Sequence, residues 1–470
     1  MSPMYSYDTY LSPNTWRYGT PQMRQIWSER YRRVLMRRVW VALATAQHEA
    51  GLVSAEQLTD LQAHVDRIDI ERAHEIERET RHDVMAEIRC YAEQATIGGG
   101  IIHWGATSAD INDNVNALRL REAAQMIAGQ LRELLLCFAD RVDQSAETPV
   151  MAHTHIQPAE PTTLGYRFSV YAQDLYEDWL DLERLIGRLR GKGFKGAVGT
   201  QASYQEILHG TGQTAQQMEA RAMQVLDLPV FPITTQTYTR QQDLRVVNVI
   251  AGMASSMHKF AMDFRVLQSP PFGEWAEPFG KKQVGSSAMP FKRNPINMEN
   301  ICSMARYVAA MPNVLWDNAS QAILERSLDD SANRRFVFPE AFLATNEMLK
   351  RMTRIVKEMR LNESMMARNM ATYGPFAATE RVLMALVSNG ASRQDAHEWI
   401  RDASLAAWGV VQVGGENPLV ELLQKDANIA GMLSADAIDS LMHAEAHVGN
   451  SAERARQFAQ HIRTELQASE

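Results

Sequence analysis

The chain has 470 residues, 45% of them apolar, which suffices for roughly three hydrophobic cores and argues against long disordered spans. Its 26 glycines and 17 prolines amount to about 9% of the residues against a usual ~12%, which favours a helix-rich protein over an all-β one. The formal net charge of −8 argues against general nucleic-acid binding, so we expect a small anionic ligand held by local arginine clusters.

The three cysteines, Cys90, Cys137 and Cys302, form no CxxC pair, so neither a disulfide framework nor a zinc site is indicated. No spacing of histidine and cysteine forms a ligand set, and we expect neither a metal nor an organic cofactor. The sequence has no apolar run of the kind found in signal peptides or membrane spans. We therefore expect a cytoplasmic protein without a membrane partner.

Long amphipathic helices dominate the middle of the chain. Apolar residues recur in alternating steps of four and three, the pattern of helices that pack lengthwise in a bundle. These stripes run from Leu120 to Phe138, from Leu164 to Leu189 and from Val246 to Leu267. The pattern predicts an all-α protein with an N-terminal helical domain (1–110), a central long-helix bundle (111–364) and a C-terminal helical domain (365–470). Helices of this length also suit a bundle that other subunits continue.

Two segments before the first long helix contain candidate functional residues. His82 follows Arg81 and precedes Asp83, a carboxylate that would orient the imidazole or tune its charge. His103 begins a segment that ends in two adjacent hydroxyls, Thr107 and Ser108, and we interpret these hydroxyls as a carboxylate cradle. The alternative for the hydroxyl pair is simple helix N-capping.

Thr154, His155 and Pro158 lie just before the second long helix. A proline is expected near the first turn of a helix, where exposed amides favour anions, and a histidine in this position would act as an acid. Taken singly, such a histidine is more often a cap or a packed side chain.

The stretch from Gly285 to Pro295 is the most informative one in the chain. It places Ser286 and a second serine beside a glycine, which lets the backbone approach a ligand closely, and beside Lys292 and Arg293, whose charges favour loss of a serine proton. A serine activated in this way removes protons. The alternative is an ordinary polar loop between helices.

The segment from Glu325 to Arg335 indicates a phosphate clamp. Ser327 and Asp330 have the form of a capping box, so a helix should begin nearby and offer its N-terminus to an anion. Arg326, Ser331 and Arg335 then resemble a phosphate site, since guanidinium groups bind phosphate bidentately. The alternative is a solvated cluster of salt bridges with the neighbouring aspartates.

Together these segments supply a base, an acid, a carboxylate cradle and a phosphate clamp. Removal of a proton next to a carboxylate creates a dianion that needs cations and donors, and expulsion of a β-nitrogen then needs a proton donor. The combination therefore predicts β-elimination that releases a fumarate-like product.

The residues also resemble those of the adenylosuccinate lyase family, within the fumarase and aspartase superfamily. Gly-Ser-Ser-Ala-Met-Pro-Phe-Lys-Arg-Asn-Pro matches the superfamily signature loop in its adenylosuccinate lyase form. Further segments similar to the family occur in the expected order: Arg-His-Asp-Val, His-Trp-Gly-Ala-Thr-Ser, Thr-His-Ile-Gln-Pro-Ala, Lys-Gly-Ala-Val-Gly-Thr-Gln-Ala-Ser, Gln-Thr-Tyr-Thr-Arg and Asp-Asp-Ser-Ala-Asn-Arg-Arg. The resemblance implies cleavage of adenylosuccinate to AMP and fumarate, and cleavage of the succinylated aminoimidazole carboxamide ribotide of purine synthesis.

The resemblance implies roles for individual residues. Ser286 would be the general base and His155 the general acid, with Glu299 supporting His155 and His82 assisting. Lys292 and Asn294 would steady the dianion. The remaining implied residues bind the substrate. The succinyl group would be held by Thr107, Ser108, Thr154 and Gln236, and the phosphate by Arg17, Tyr18, Arg326, Ser331 and Arg335. His103 would line the same pocket. The family implies a fumarase/aspartase-like homotetramer whose long helices form the central core and whose active sites are shared between subunits.

Two other interpretations remain open at this stage. One keeps the fold and chemistry but takes the substrate of an argininosuccinate lyase, aspartase or fumarase, in which case Arg326, Ser331 and Arg335 would bind no phosphate. The other is a non-catalytic helical scaffold. The joint presence of Ser286 and His155 speaks against a scaffold.

Overall fold

The computed structural model describes residues 8–280, 282–283 and 285–468, and this part of the chain is mostly helical. The α-helices are α1 Pro21–Ile26, α2 Glu29–Glu49, α3 Ala55–Ala63, α4 Ile70–Thr80, α5 Asp83–Gln94, α6 Ser108–Gln144, α7 Leu164–Ile186, α8 Ala202–Ile207, α9 Ala215–Val225, α10 Gln241–Gln268, α11 Ile296–Ser320, α12 Asp329–Glu358, α13 Glu363–Ser388, α14 Arg393–Gln412, α15 Leu419–Lys425, α16 Ala427–Ala430, α17 Ala435–Met442 and α18 Ser451–Ala468. The strands are β1 Pro149–Thr154, β2 Gln157–Thr163, β3 Trp275–Ala276 and β4 Arg360–Leu361. The all-α prediction is confirmed.

The three predicted apolar stripes correspond to α6, α7 and α10, which have 37, 23 and 28 residues. Their stripe residues are buried, including Ile127 on α6, Phe168 on α7 and Ile250 on α10, each with no exposed surface. Each apolar stripe is buried along its whole length, so these helices pack lengthwise against apolar surfaces, as the periodicity predicted. Within the described ranges, no helix has both the length and the apolar content needed to cross a lipid bilayer.

The chain divides into two compact units. The first unit extends to Leu131 and includes Asp178–Ser255 and Ser303–Lys350, and the second consists of Arg132–Glu177, Ser256–Cys302 and the chain from Arg351 onward. The division into three sequence domains, 1–110, 111–364 and 365–470, stays a prediction.

In the first unit, buried ion pairs fix the position of α5. Glu87 on α5 is fully buried and accepts from two arginines of α2, Arg33 and Arg37, at 2.7 Å each. Removal of one partner from such a group leaves an uncompensated buried charge, so these ion pairs hold α5 against α2. Because α5 begins beside His82, these ion pairs also position that histidine.

A second buried cluster fixes the start of α6. Asp110 has no exposed surface and forms an ion pair with the equally buried Lys192. Its carboxylate also accepts from the amides of Thr107 at 3.1 Å and Gly196 at 3.2 Å and from the hydroxyl of Tyr204 at 3.0 Å. The Asp110 carboxylate therefore holds the turn that precedes α6 against the loop from Lys192 to Gly196.

The second unit contains an aromatic core where α6, α7 and α10 meet. The rings of Phe138 and Phe260 lie edge to face with centroids 5.3 Å apart, and Phe168 stacks on Trp275 at 5.2 Å. Both arrangements are favourable for aromatic pairs. Towards the C-terminus, β1, α14, α15 and α17 pack around α13.

An antiparallel hairpin of β1 and β2 precedes α7 in the second unit. Thr154 pairs with Gln157, so His155 and Ile156 form a two-residue turn, and both have positive φ, 55° and 62°. Two consecutive positive φ values are the signature of the type I′ turn that suits the twist of a hairpin. The prediction that Pro158 belongs to the first turn of a helix is therefore wrong: Pro158 lies in β2, and α7 begins at Leu164.

Candidate active site

The first unit encloses a cavity of about 660 Å³ whose walls come from the starts of α2, α5, α6 and α12 and from the segment around Gln236. Four acidic residues line it: Glu29, Glu77, Asp83 and Asp113. Seven arginines line it: Arg32, Arg81, Arg119, Arg240, Arg326, Arg334 and Arg335. The excess of cations makes the cavity suitable for an anionic ligand.

Helical spacing explains how one face of α6 supplies a whole wall of this cavity. The lining residues Ser108, Asn112, Asn116 and Arg119 recur every three to four positions, so their side chains follow one stripe of the helix. On α12, Ser331, Arg335 and Pro339 do the same. The long helices thus present polar stripes here as well as the apolar stripes seen in the sequence.

Thr107 and Ser108 lie at the N-terminal end of the α6 stripe and line the cavity. The backbone amide of Thr107 donates to Asp110, whereas neither hydroxyl has a hydrogen-bond partner in the part of the chain described. Free hydroxyls beside a helix N-terminus are suited to a carboxylate. This arrangement supports the predicted cradle more than simple capping.

His82 lines the same cavity and caps α5. Its Nδ1 accepts from the amide of Met85 at 3.3 Å, so the neutral imidazole carries its proton on Nε2. The prediction that Asp83 orients this histidine is wrong, because the Asp83 carboxylate instead accepts from Arg32 and Arg335, each at 2.8 Å. Burial alone raises the pKa of Asp83, but the two guanidinium groups lower it to about 2.

The predicted clamp residues Arg326, Ser331 and Arg335 all line the cavity, and the helix predicted beside them begins at Asp329. The predicted capping box does not form in the described residues: Ser327 Oγ accepts from the amide of Asp329 at 3.4 Å, and Asp330 pairs with Arg326 at 2.7 Å. Pairing with a guanidinium group stabilises the buried carboxylate of Asp330 more than a helix-capping hydrogen bond would. Arg326 thus forms the salt bridge of the alternative interpretation with Asp330, and the phosphate clamp stays a prediction.

The cavity floor is a buried ionic network that the sequence interpretation missed. Arg240 bridges two helices, since it donates to Asp330 at 2.5 Å and to both carboxylate oxygens of Asp113 at 3.1 Å. Arg334 forms an ion pair with Asp243 at 2.8 Å and donates to the hydroxyl of Tyr238 at 2.9 Å. All of these residues are buried. The matched segments Gln-Thr-Tyr-Thr-Arg and Asp-Asp-Ser-Ala-Asn-Arg-Arg contain both arginines and were the available signal.

Two predicted substrate residues differ in their surroundings. Gln236 lines the cavity, and its backbone N–H donates to the carbonyl of Glu325 at 3.2 Å. His103 is not among the lining residues; its Nδ1 accepts from the indole of Trp40 at 3.1 Å. Burial, with the nearby charge of His82, lowers the pKa of His103 to about 4, against the effect of Asp110. The His103 imidazole is therefore neutral at pH 7.

Arg17 and Tyr18, the other predicted phosphate residues, follow a short 3₁₀ turn and are not among the cavity-lining residues. The guanidinium of Arg17 lies 5.7 Å from the ring centroid of Trp16 and 5.8 Å from that of Tyr18. The exposed Arg17 side chain is held against aromatic faces at the protein surface.

The signature loop, residues 285–295, belongs to the second unit. Ser286 Oγ accepts from the amides of Ala288 at 3.3 Å and Met289 at 3.1 Å. Two N–H donors stabilise negative charge on an oxygen, so this turn favours the deprotonated hydroxyl that a general base requires. A Cβ at Gly285 would lie 2.2 Å from the carbonyl oxygen of Lys292, so the glycine is required by the loop's own backbone rather than by a ligand.

Other predicted residues surround this turn in the second unit. The side-chain amide of Asn294 donates to the carbonyl of Gly285 at 3.3 Å and closes the loop. Lys292 is exposed, and Arg293 lies over the ring of Phe279 with 4.9 Å to its centroid. Glu299 is in the first turn of α11 and is exposed. Lys292 and Glu299 are thus exposed, whereas Ser286 is half-buried.

The hairpin turn of the second unit carries His155 at its tip, and the exposed Thr154 precedes it. Ile156, the other turn residue, is 67% exposed and β-branched, and it has a φ of 62°. A β-branched residue in the left-handed region is strained. Observed strain at a tip that carries a histidine indicates a functional constraint on this turn.

Replacement of Ile156 with asparagine is expected to raise the free energy of unfolding by about 1 kcal/mol, because asparagine tolerates the left-handed region and little apolar surface is lost. Urea unfolding of the Ile156→Asn variant measures the change. Ile156→Val, which keeps the branched side chain, is the control. Equal stability of the two variants would show that the turn is not strained.

The structure therefore brings some of the predicted residues together in one cavity of the first unit and places others in the second unit. The cavity of the first unit is lined by His82, Thr107, Ser108, Gln236, Arg326, Ser331 and Arg335. The second unit carries Thr154, His155, Ser286, Lys292, Asn294 and Glu299.

Comparisons with known proteins agree on one family. A family model described as "Lyase" matches residues 16–310, and one described as "Adenylosuccinate lyase C-terminus" matches residues 375–458. The chain is 36% identical to the adenylosuccinate lyase of Saccharomyces cerevisiae over 97% of this chain and 95% of that protein. It is 32% identical to the adenylosuccinate lyase of Archaeoglobus fulgidus over 94% of this chain and 97% of that protein.

Among solved structures, the fold is similar to that of a fumarate lyase from Mesorhizobium sp. BNC1. The TM-score is 0.82 at 22% sequence identity, and the match covers 94% of this chain and 98% of that one. The fumarase/aspartase-like fold predicted from the sequence is confirmed.

Proposed function

The chain belongs to the adenylosuccinate lyase family, and we propose that it cleaves adenylosuccinate to AMP and fumarate and performs the same elimination on the succinylated aminoimidazole carboxamide ribotide. The observation that carries the proposal is the cavity of the first unit, which combines an excess of arginines with the free hydroxyls of Thr107 and Ser108. Such a cavity suits a ligand with a phosphate at one end and carboxylates at the other.

The elimination begins with removal of a proton from the succinyl carbon next to a carboxylate. Ser286 is the base, because the amides of Ala288 and Met289 donate to its oxygen and such donors stabilise the negative charge that forms there. The electron pair moves into the carboxylate and creates a dianion. Lys292 and Asn294 stabilise this dianion, and Thr107 and Ser108 hold the succinyl carboxylate in place.

The second step breaks the bond between carbon and nitrogen. The electron pair returns from the dianion to form the double bond of fumarate, and the nitrogen that leaves with AMP takes a proton from His155. Glu299 supports His155, and His82, with its proton on Nε2, assists the transfer. The reaction needs no redox step, and every atom of the substrate is recovered in the two products.

The protein assembles as a cytoplasmic homotetramer in this proposal. The long helices α6, α7 and α10 form the shared core, and each active site joins the cavity of one subunit with the signature loop and hairpin tip of others. Gel filtration with light scattering tests the assembly. A monomer in the active preparation would contradict it.

Incubation of the purified protein with adenylosuccinate tests the activity, with fumarate and AMP measured directly. Argininosuccinate, aspartate and malate are assayed in parallel as the substrates of related lyases. Fumarate from adenylosuccinate in a one-to-one ratio with AMP is expected. Turnover of another substrate alone would reassign the specificity, and no turnover of any would indicate a scaffold.

Replacement of Arg335 with alanine is expected to raise KM for adenylosuccinate by about 10- to 100-fold, since charge-assisted hydrogen bonds contribute about 1.5–3 kcal/mol. The variant also leaves the Asp83 carboxylate facing the ligand with only Arg32 as its partner. Steady-state kinetics of Arg335→Ala measure the change. Arg184→Ala, which breaks an exposed ion pair with Asp181 on α7, is the control. An unchanged KM in Arg335→Ala would remove Arg335 from the clamp.

A further inference from the structure

Arg119 on α6 is a buried cation whose guanidinium group forms no ion pair with a carboxylate of the described residues. The residue is 8% exposed and lines the cavity. Its Nε donates to the carbonyl of Ile26 at 2.9 Å, and its guanidinium lies 4.6 Å from the ring centroid of Trp27. Its two Nη groups have no acceptor among the residues the structure describes.

Other arginines that line the cavity have carboxylate partners. Arg240 and Arg334 each form ion pairs with buried aspartates of the network, and Arg32 pairs with Asp83. Buried charges in proteins are normally paired, because desolvation of an isolated ion costs several kcal/mol. Arg119 shows the cost of lacking a partner: burial, reinforced by the charge of Arg32, lowers its pKa to about 9 despite the opposing effects of Glu29 and Glu122. The group remains protonated at pH 7.

The nearest acidic side chains are already engaged by other groups. Glu29 forms ion pairs with Arg32 and Arg33, and the Glu122 carboxylate accepts from the hydroxyl of Tyr31 at 2.8 Å. The indole of Trp27 covers one face of the guanidinium, and the carbonyl of Ile26 fixes its tilt. The unused donors therefore form a rigid fork, the geometry that binds an oxyanion bidentately.

The position of the fork along α6 identifies the end of the ligand that it meets. At 1.5 Å per residue, about 16 Å along the helix separates Ser108 from Arg119. In the proposed function the succinyl carboxylates lie at Thr107 and Ser108, so an anion at the opposite end of the stripe belongs to the phosphate. We propose that Arg119, seated on Trp27, forms an oxyanion subsite that binds the phosphate of the nucleotide and also binds free inorganic phosphate. This assignment rests on the proposed function for its orientation.

Isothermal titration of the intact protein with AMP, adenosine and inorganic phosphate tests the subsite. Arg119→Met removes the fork but keeps the aliphatic stem, and it is expected to weaken the binding of AMP and of phosphate by about 10- to 100-fold. Adenosine, which has no phosphate, is expected to bind within twofold of the wild type. Arg121→Met is the matched control, because Arg121 lies two positions along the same helix, is not among the lining residues and donates to the carbonyl of Asp227.

Unchanged AMP binding by Arg119→Met, or an equal loss for AMP and adenosine, overturns the subsite. If Arg119→Met does not fold, Arg119→Lys keeps the charge but loses the fork, and it is expected to weaken AMP binding about fivefold or more; unchanged AMP binding by the lysine variant also overturns it. Fumarate release by the wild type is measured alongside. If the wild type releases fumarate but Arg119→Met binds AMP as the wild type does, the subsite alone is refuted. If the wild type releases no fumarate, the proposed function is refuted. In that case the titration of the two proteins with inorganic phosphate decides whether the subsite exists.

Discussion

Replacement of Ser286 with alanine is expected to lower kcat for fumarate release by about 10²- to 10⁴-fold, the range lost when a positioned acid or base is removed. The reason is local: the Ser286 hydroxyl is the atom on which the amides of Ala288 and Met289 converge. KM should change little, since the proposed substrate contacts lie on other residues. Stopped-flow detection of fumarate measures the chemical step apart from product release.

Ser287→Ala is the matched control for this experiment. It deletes the same hydroxyl one position along the same loop, where the side chain is exposed. We expect the control variant to retain most of the wild-type rate. A Ser286→Ala variant with more than about a tenth of the wild-type kcat lies outside the range for a lost base and would assign proton removal to another group.

Replacement of Asp110 with asparagine is expected to lower the free energy of unfolding by about 3–5 kcal/mol, the cost of leaving a buried charge without its partner. Lys192, which has no exposed surface, loses the carboxylate that neutralises it. The amides of Thr107 and Gly196 and the hydroxyl of Tyr204 also lose a charged acceptor. Urea unfolding followed by circular dichroism measures the change.

Asp181→Asn is the control, since it makes the same chemical change in an ion pair whose two side chains are 65% and 67% exposed. It should shift the unfolding free energy by less than about 0.5 kcal/mol. A double variant with Lys192→Met is expected to recover part of the loss, because the unpaired charge is then absent. Equal effects of Asp110→Asn and Asp181→Asn would show that the buried cluster does not stabilise the fold.

The long helices were predictable from the sequence because their apolar residues follow one period over many turns. The stripe residues of α6, α7 and α10 are buried as expected. Ser108 on α6 and Ser331 and Arg335 on α12 could also be named from the sequence as cavity candidates, since hydroxyl and arginine side chains at a helix start have few purposes besides capping and anion binding.

The partners of charged groups were not predictable in the same way. Asp83 is adjacent to His82 in the sequence, but its carboxylate binds Arg32 and Arg335, which are 51 and 252 residues away. The hairpin was missed because His155 and Ile156 lack the Asn-Gly type of signal that normally marks such a turn. The tertiary fold decides the partners of Asp83, and a single sequence carries no direct signal of them.

The hydrogen bonds of the turn at Ser286 are local to the loop that carries the proposed base. Its hydrogen-bond donors come from positions 288 and 289 of the same short segment, and the backbone crossing at Gly285 keeps that segment folded on itself. Among the described residues, the two donors to this oxygen thus lie within the segment itself. If the segment changes position as a unit, Ser286 keeps both hydrogen bonds. A movement of this region would then have to change only the distance between the serine and the substrate.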